Sequence, residues 1–298
     1  MIKKIARSSI KGLLRQAVKK WQTYVPVEAK EGDVLFTCLP KGDSDIQEVL
    51  DRVNFGDEQV IISPKDIFFP QDETIFKFDK GTIEQEIDTS KKLIFGVRPC
   101  DTKGILFSDE FFKRNFEDIY YLSRTNERII VTIGCLKPPR PQSCFCTSAK
   151  TGPFIEGGYD LQLVDAGDYF FVEIGSVGGK EFVDAYSEFF EDTVKDDLNK
   201  VQEIKSKAAD NIEIEVNFKK ALDLMAGDKI FEENYKRISE RCIQCGACSY
   251  TCPTCTCFNV FDDKKNSQGV RKRNWDACVF EGYTREASGH NPRNKKWI

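Results

Sequence analysis

The stretch RCIQCGACSYTCPTCTCF, Arg241 to Phe258, holds six of the chain's twelve cysteines. Cys242, Cys245, Cys248 and Cys252, followed by Pro253, give C-x2-C-x2-C-x3-C-P, a run that holds a [4Fe–4S] cluster. The spacing has a physical reason. Three cysteines at every third position wrap one loop around a cube, so that three thiolates reach three irons. Gly246 lets backbone approach the sulfides, and the proline after the fourth cysteine turns the chain away. A structural zinc site is the rival, but zinc ribbons use two knuckles of paired ligands separated by a longer spacer, whereas these four thiols are close-set. The spacing therefore predicts iron and sulfide rather than zinc.

Where a chain carries two such runs, the cysteine before the proline ligates the other cluster, so Cys252 need not close the cube held by Cys242, Cys245 and Cys248. Cys255, Cys257 and Cys278 follow, making seven thiols in the tail, one fewer than two all-cysteine cubes require. One [4Fe–4S] cluster is expected and a second is a candidate, its missing ligand coming from a partner chain or from upstream. Upstream, Cys100, Cys135, Cys144 and Cys146 form a second candidate site, because CLKPPRPQSCFC, Cys135 to Cys146, is itself ligand-like. The plain alternative for these four is buried thiols.

The 298 residues exceed the roughly 100–200 of an average domain, and a composition 40% hydrophobic and 31% charged is that of an ordinary globular protein. A net charge of -4 gives no long-range pull toward nucleic acid. The longest apolar runs, such as RIIVTIGCL from Arg128, fall far short of the roughly 20 residues that cross a bilayer. The first 27 residues carry seven Lys/Arg and no acid. Ile2, Ile5, Leu13, Leu14, Ala17, Val18 and Trp21 follow helical spacing there, which predicts a basic amphipathic helix rather than a transit peptide. With no apolar signal-peptide core, the chain is expected in the cytoplasm, where thiols stay reduced and twelve cysteines point to ligands.

Short β-rich runs (DVLFTCL, QVIISP, KLIFGV, RIIVTIGCL, YFFVEIG) alternate with turns and helix-like stretches such as SDEFFKRNF between Gly32 and Gly179. Then EFVDAYSEFFEDTVKDDLNKVQEIKSKAAD reads as solvated helices. The expected class is α+β: an α/β docking domain over 1–185, a charged helical connection over 186–240, and a small, mostly helical iron–sulfur domain over 241–298. That last segment is too small to fold on apolar burial alone.

CIQCGACSYTCPTCTCFNV and RKRNWDACVFEGYTREASGHNPR, with FGVRPCDTKGI and IGCLKPPRPQSCFCTS upstream, resemble the iron–sulfur beta subunits of cytoplasmic sulfhydrogenases and the corresponding iron–sulfur subunits of anaerobic sulfite reductases. The likeness extends to Trp21 with YVPV and to GGYDLQL at Gly157. It implies a ferredoxin-type domain in which Cys242, Cys245, Cys248 and Cys252 are ligands. It also implies a subunit with no substrate chemistry of its own, relaying electrons between a flavin-containing, NAD(P)H-oxidising partner and a catalytic metal subunit. Family members continue past the GHNPR segment with a basic helix and a second C-x2-C-x2-C-x3-C-P run, whereas this sequence ends at Ile298. It is read either as a shortened relative with altered ligation or as a cut-off sequence.

No catalytic residue is assigned. The single histidine, His290, rules out a multi-histidine metal site, and it is read as capping the tail. No G-x-G-x-x-G fingerprint occurs, and the glycines at Gly157 and Gly175 are read as turn residues. Arg271, Lys272 and Arg273 are read as a solvated basic face, with raising a cluster's potential or docking an acidic partner as the functional alternatives. The competing function is a zinc-stabilised interaction module without redox chemistry.

Overall fold

The computed structural model describes residues 1–29, 32–56, 60–226 and 228–293. In chain order its strands are β1 (Ile2–Ala6), β2 (Gln22–Glu28), β3 (Val34–Cys38), β4 (Asp72–Asp79), β5 (Thr82–Gln85), β6 (Lys92–Val97), β7 (Arg128–Ile133), β8 (Leu161–Asp165), β9 (Tyr169–Ile174), β10 (Glu191–Asp192), β11 (Phe258–Lys265) and β12 (Gln268–Trp275). The helices are α1 (Ile10–Ala17), α2 (Asp43–Asp51), α3 (Pro99–Arg114), α4 (Ile119–Asn126), α5 (Cys146–Ala149), α6 (Val177–Ala185), α7 (Lys195–Asp210), α8 (Phe218–Met225), α9 (Asp228–Glu240) and α10 (Ala247–Thr251). The chain is α+β, as the sequence predicts. Its two compact units interleave: Met1–Phe68 with Asp88–Glu215, and Phe69–Ile87 with Val216–Ile298.

The first unit is built on an eight-stranded sheet in the order β10-β1-β9-β8-β7-β6-β2-β3. β2, β6, β7 and β8 run parallel, and antiparallel strands complete both sides. KLIFGV of β6 is buried at every position and RIIVTI of β7 at all but its first, the continuous apolar text of parallel strands covered on both faces. Parallel neighbours need a crossover, which α3 and α4 supply between β6 and β7. Leu93, Phe95, Val131 and Phe170 join Leu13, Leu14 and Ala17 of α1 in the core.

Ile2 and Ile5 lie in a strand rather than in the expected helix, which starts at Ile10. β1 inserts beside β9, with Lys3 opposite Val172 and Ile5 opposite Phe170, and this pairing outweighs local periodicity. The run QVIISP forms only an isolated bridge, Val60 to Val34; Gln59 lies outside the described residues.

The charge-rich segment over 186–240 is divided between the two units rather than forming one connection. Val201 of α7 packs with Val164 and Phe171, Lys205 reaches Glu173 at 2.6 Å, and Lys4 of β1 holds Asp197 at 2.6 Å, so α7 belongs to the first unit. α8 and α9 belong to the second.

That second unit has a four-stranded antiparallel sheet, β11-β12-β4-β5. The β4–β5 turn places Lys80 and Gly81 at positive φ, 44° and 91°, where glycine is at ease. β12 pairs with β4 from Gln268 opposite Asp79 to Asn274 opposite Asp72. Over 241–298 the longest elements are the strands β11 and β12, with α10 the helix among the described residues of that stretch. Among the described residues no helix is long and apolar enough to cross a membrane.

Candidate metal centre

Trp275 anchors the tail. Its Nε1 donates to the Phe69 carbonyl at 2.9 Å, and its ring lies 5.9 Å from both Phe69 and Tyr250. Tyr250 sits in α10, the single short helix that follows the cysteine loop, and its N–H bonds the Gly246 carbonyl at 3.1 Å. The loop from Arg241 to Gly246 has no regular structure, and both Gln244 (φ 56°) and Gly246 (φ 76°) are left-handed. Two left-handed residues within one loop bend it tightly. A side chain at Gly246 would place its Cβ 2.6 Å from Cζ of Phe280, so the ring lies directly against that backbone.

Polar groups of this loop are aimed at sulfur. The Gln244 N–H donates to Cys242 Sγ at 3.4 Å, and the Thr254 hydroxyl lies 3.2 Å from Cys252 Sγ. The Gln244 side-chain amide donates to the Val279 carbonyl at 3.1 Å, tying the loop to the segment beyond β12. The later cysteines flank the base of the β11–β12 hairpin. Asp276 N–H bonds the Cys257 carbonyl at 3.0 Å, and the Tyr283 hydroxyl is pushed up to about 12 by burial, then by a hydrogen bond with Cys257 and by the nearby Asp276 and Cys278. Cys255 donates its N–H to the Cys252 carbonyl at 3.4 Å. Thiols with a backbone N–H and a hydroxyl beside their sulfurs fit an iron–sulfur group, which is tuned by such hydrogen bonds.

The spacing of the thiols gave no hint of Thr254, Gln244, Tyr283 or Phe280, although Thr254 stands two residues past the fourth cysteine of the run. Arg271, Lys272 and Arg273 are not a free basic face. Arg271 pairs with Asp262 at 2.7 Å, Lys272 with Asp72 at 3.1 Å, and Arg273 with the buried Glu73. His290 accepts at its backbone carbonyl from the Glu286 N–H at 2.9 Å, closing a loop of the tail.

The upstream cysteines lie in the first unit. Cys100 stands in the first turn of α3, three residues after β6 ends; Cys135 follows β7 by two residues; Cys144 and Cys146 come from the long β7–β8 connection. All four line one cavity of about 240 Å³, with Arg98 and Arg140. Burial pushes the Cys100 thiol far up, with Asp101, Cys135 and Cys146 adding to the shift. Cys146 is raised likewise by burial, then by Cys144. Cys38 stands apart from them, near the end of β3 with Tyr24 as its polar neighbour.

Residues 241–298 match the 4Fe-4S dicluster domain family. Over 246 residues the chain is 31% identical to the protein named sulfhydrogenase 2 subunit beta of Pyrococcus furiosus, a match that spans 82% of this chain and 72% of the relative. The cofactor is [4Fe–4S] and the role is electron transfer, as the cysteine run predicts. With likeness extending well beyond the cysteine tail into both units, the chain belongs to the family of sulfhydrogenase beta subunits.

Proposed function

We propose that this chain is the electron-relaying subunit of a hetero-oligomeric redox enzyme, standing between a flavin-containing partner that oxidises NAD(P)H and a catalytic metal subunit. The observation that carries the reading is the thiol loop at Cys242, Cys245, Cys248 and Cys252, with N–H and hydroxyl donors on its sulfurs. These four cysteines are the ligands of the relay cluster. Cys255, Cys257 and Cys278 are its neighbours for a second. The bound cluster supplies one-electron chemistry.

The residues of the chain hold, tune and shield that group. Gln244 and Thr254 place donors on two of the ligand sulfurs, and Phe280 closes the loop from below at Gly246. Among the described residues, no side-chain constellation for breaking or making a substrate bond accompanies them. NAD(P)H gives up a two-electron hydride, so a flavin on another chain must divide the pair before this subunit receives electrons.

The test is reduction of the anaerobically purified subunit. It is expected to be brown and to bleach with dithionite. NADH or NADPH alone is expected to leave the colour unchanged, and bleaching is expected to return when the flavoprotein partner is added. Rapid bleaching by NAD(P)H in a flavin-free preparation overturns the relay reading, and a colourless protein holding zinc overturns the cluster.

A further inference from the structure

We propose that the cavity beyond the carboxyl ends of β6 and β7 is an iron–sulfur site separate from the tail, in which Cys100, Cys135, Cys144 and Cys146 ligate a [4Fe–4S] cluster. The tail reading lends it the cofactor type only, and the site stands or falls on its own residues.

Topology explains how thiols from three places in the sequence meet. β6 and β7 are adjacent and parallel, so the chain leaves both on the same edge of the sheet, the edge on which α/β folds place their ligands. Cys100 departs from one strand and Cys135 from the next. The β7–β8 connection then carries Cys144 and Cys146 back over that edge before β8 begins, and the Cys135 N–H bonds the Pro153 carbonyl at 3.2 Å to close the connection on itself. Cys144 N–H bonds the Arg140 carbonyl at 2.9 Å, and Thr151 N–H bonds the Cys146 carbonyl at 2.9 Å, so both thiols project from hydrogen-bonded turns rather than from a loose loop.

The space between the thiols argues for a cluster and against both a single ion and idle cysteines. Four thiolates on one zinc ion, each bonded at about 2.3 Å, must stand roughly 3.8 Å apart. Among the described residues no three Cys, His, Asp or Glu side chains gather that tightly. The four cysteines instead line a cavity of about 240 Å³, room for an inorganic body rather than for one ion. Idle thiols would be tucked into apolar packing, whereas Cys144 and Cys146 stand half-buried on the cavity wall with Cys100 and Cys135. Gly152 keeps that wall clear: a Cβ there would stand 3.3 Å from Cys146 Sγ and 3.3 Å from Cβ of Pro99. Four thiolates on a cubane leave net negative charge; the cavity wall carries Arg98 and Arg140 against one acid, Asp101, whose carboxyl burial pushes up to about 6. The amino end of α3 adds its positive dipole from the turn that holds Cys100.

The experiment uses the full chain, reconstituted anaerobically with ferrous iron and sulfide, with iron, acid-labile sulfide and zinc measured and the dithionite-reduced protein examined by electron paramagnetic resonance. The tail variant Cys242→Ser/Cys245→Ser/Cys248→Ser is expected to keep about four irons and four sulfides per chain and a reduced-cluster resonance. The upstream variants Cys100→Ser/Cys144→Ser and, as a gentler change in the connection, Cys146→Ser alone are each expected to lose that increment and that resonance while the tail's iron remains. Circular dichroism accompanies each variant, so that only folded protein is counted. A folded tail variant without iron overturns the proposal, as do upstream variants whose iron equals the parent's, or loading of the cavity by zinc without sulfide. Failure of the tail assignment reads differently: there the tail variant would match the parent.

Discussion

Arg273 of β12 and Glu73 of β4 form an ion pair with both side chains 3% exposed, although 200 residues separate them in sequence. Phe69 and Phe258 flank the guanidinium, their ring centres 5.3 and 5.2 Å away. Removing one partner of such a pair strands a charge in a low-dielectric site, at a cost of about 3–5 kcal/mol, whereas replacing both with apolar residues is often neutral. Glu73→Gln is therefore expected to lower the unfolding midpoint sharply, and Glu73→Leu/Arg273→Met to recover most of the loss. Urea titrations of the three proteins check this; equal stability of Glu73→Gln and the parent would contradict it.

Cys242→Ser or Cys245→Ser is expected to remove most of the iron held by the tail and to lower its stability, since a cube deprived of a thiolate exposes an iron and the tail has little other core. Cys38→Ser, a change at the end of β3 outside both cysteine sets of the sequence, is expected to leave iron content and melting temperature unchanged. Iron assays with thermal melts decide, and full iron in both tail variants would remove those cysteines from the ligand set.

Gly246→Ala meets two obstacles at once. A left-handed L-residue costs about 1–2 kcal/mol, and the new Cβ would lie 2.6 Å from Phe280. Faster cluster loss in air and a lower melting temperature are expected. Adding Phe280→Ala should relieve the clash but not the backbone strain, so recovery should be partial; complete recovery would show that the conformation at Gly246 costs nothing.

Thr254→Val removes the hydroxyl that lies 3.2 Å from Cys252 Sγ. Hydrogen bonds to ligand sulfur favour the reduced, more negative cluster, so the midpoint potential is expected to fall in Thr254→Val and to stay near the parent's in Thr254→Ser. A differential of about 1 kcal/mol between the two redox states corresponds to roughly 40 mV for a one-electron couple. A redox titration followed in the visible range measures it, and a rise in potential would place the hydroxyl's effect elsewhere.

Legibility in the sequence tracked how local each signal was. KLIFGV, RIIVTIGCL and YFFVEIG announced β6, β7 and β9 because buried strands need continuous apolar text, and the cysteine run announced its cofactor because four ligands fall within eleven positions, 242–252. The hairpin at Asp72–Gln85 is weakly marked, although FKFDKGTIEQ carries alternation and a Lys-Gly turn. β4 is half-exposed and β5 exposed throughout, and what holds β4 is a partner strand far along the chain. Ile2 and Ile5 misled for the same reason, since β9 rather than neighbouring residues decides their conformation. The shared cavity of Cys100, Cys135, Cys144 and Cys146 depends on β6 and β7 being adjacent and parallel, a property of topology and not of spacing.

The interleaving of the two units also sets a timetable for biogenesis. On the ribosome the hairpin β4–β5 emerges early, and β4 then keeps one bare edge while nearly two hundred further residues are made, until Gln268–Trp275 arrives to cover it. Pairing at so long a separation is slow and leaves a nascent strand open to the wrong neighbour. The tail's sheet, and with it the Trp275 anchor beside the cysteine loop, is complete only once β12 has been made. Iron delivered to the tail at that stage finds its loop already braced, whereas iron offered earlier meets thiols on a chain that has nothing to fold against.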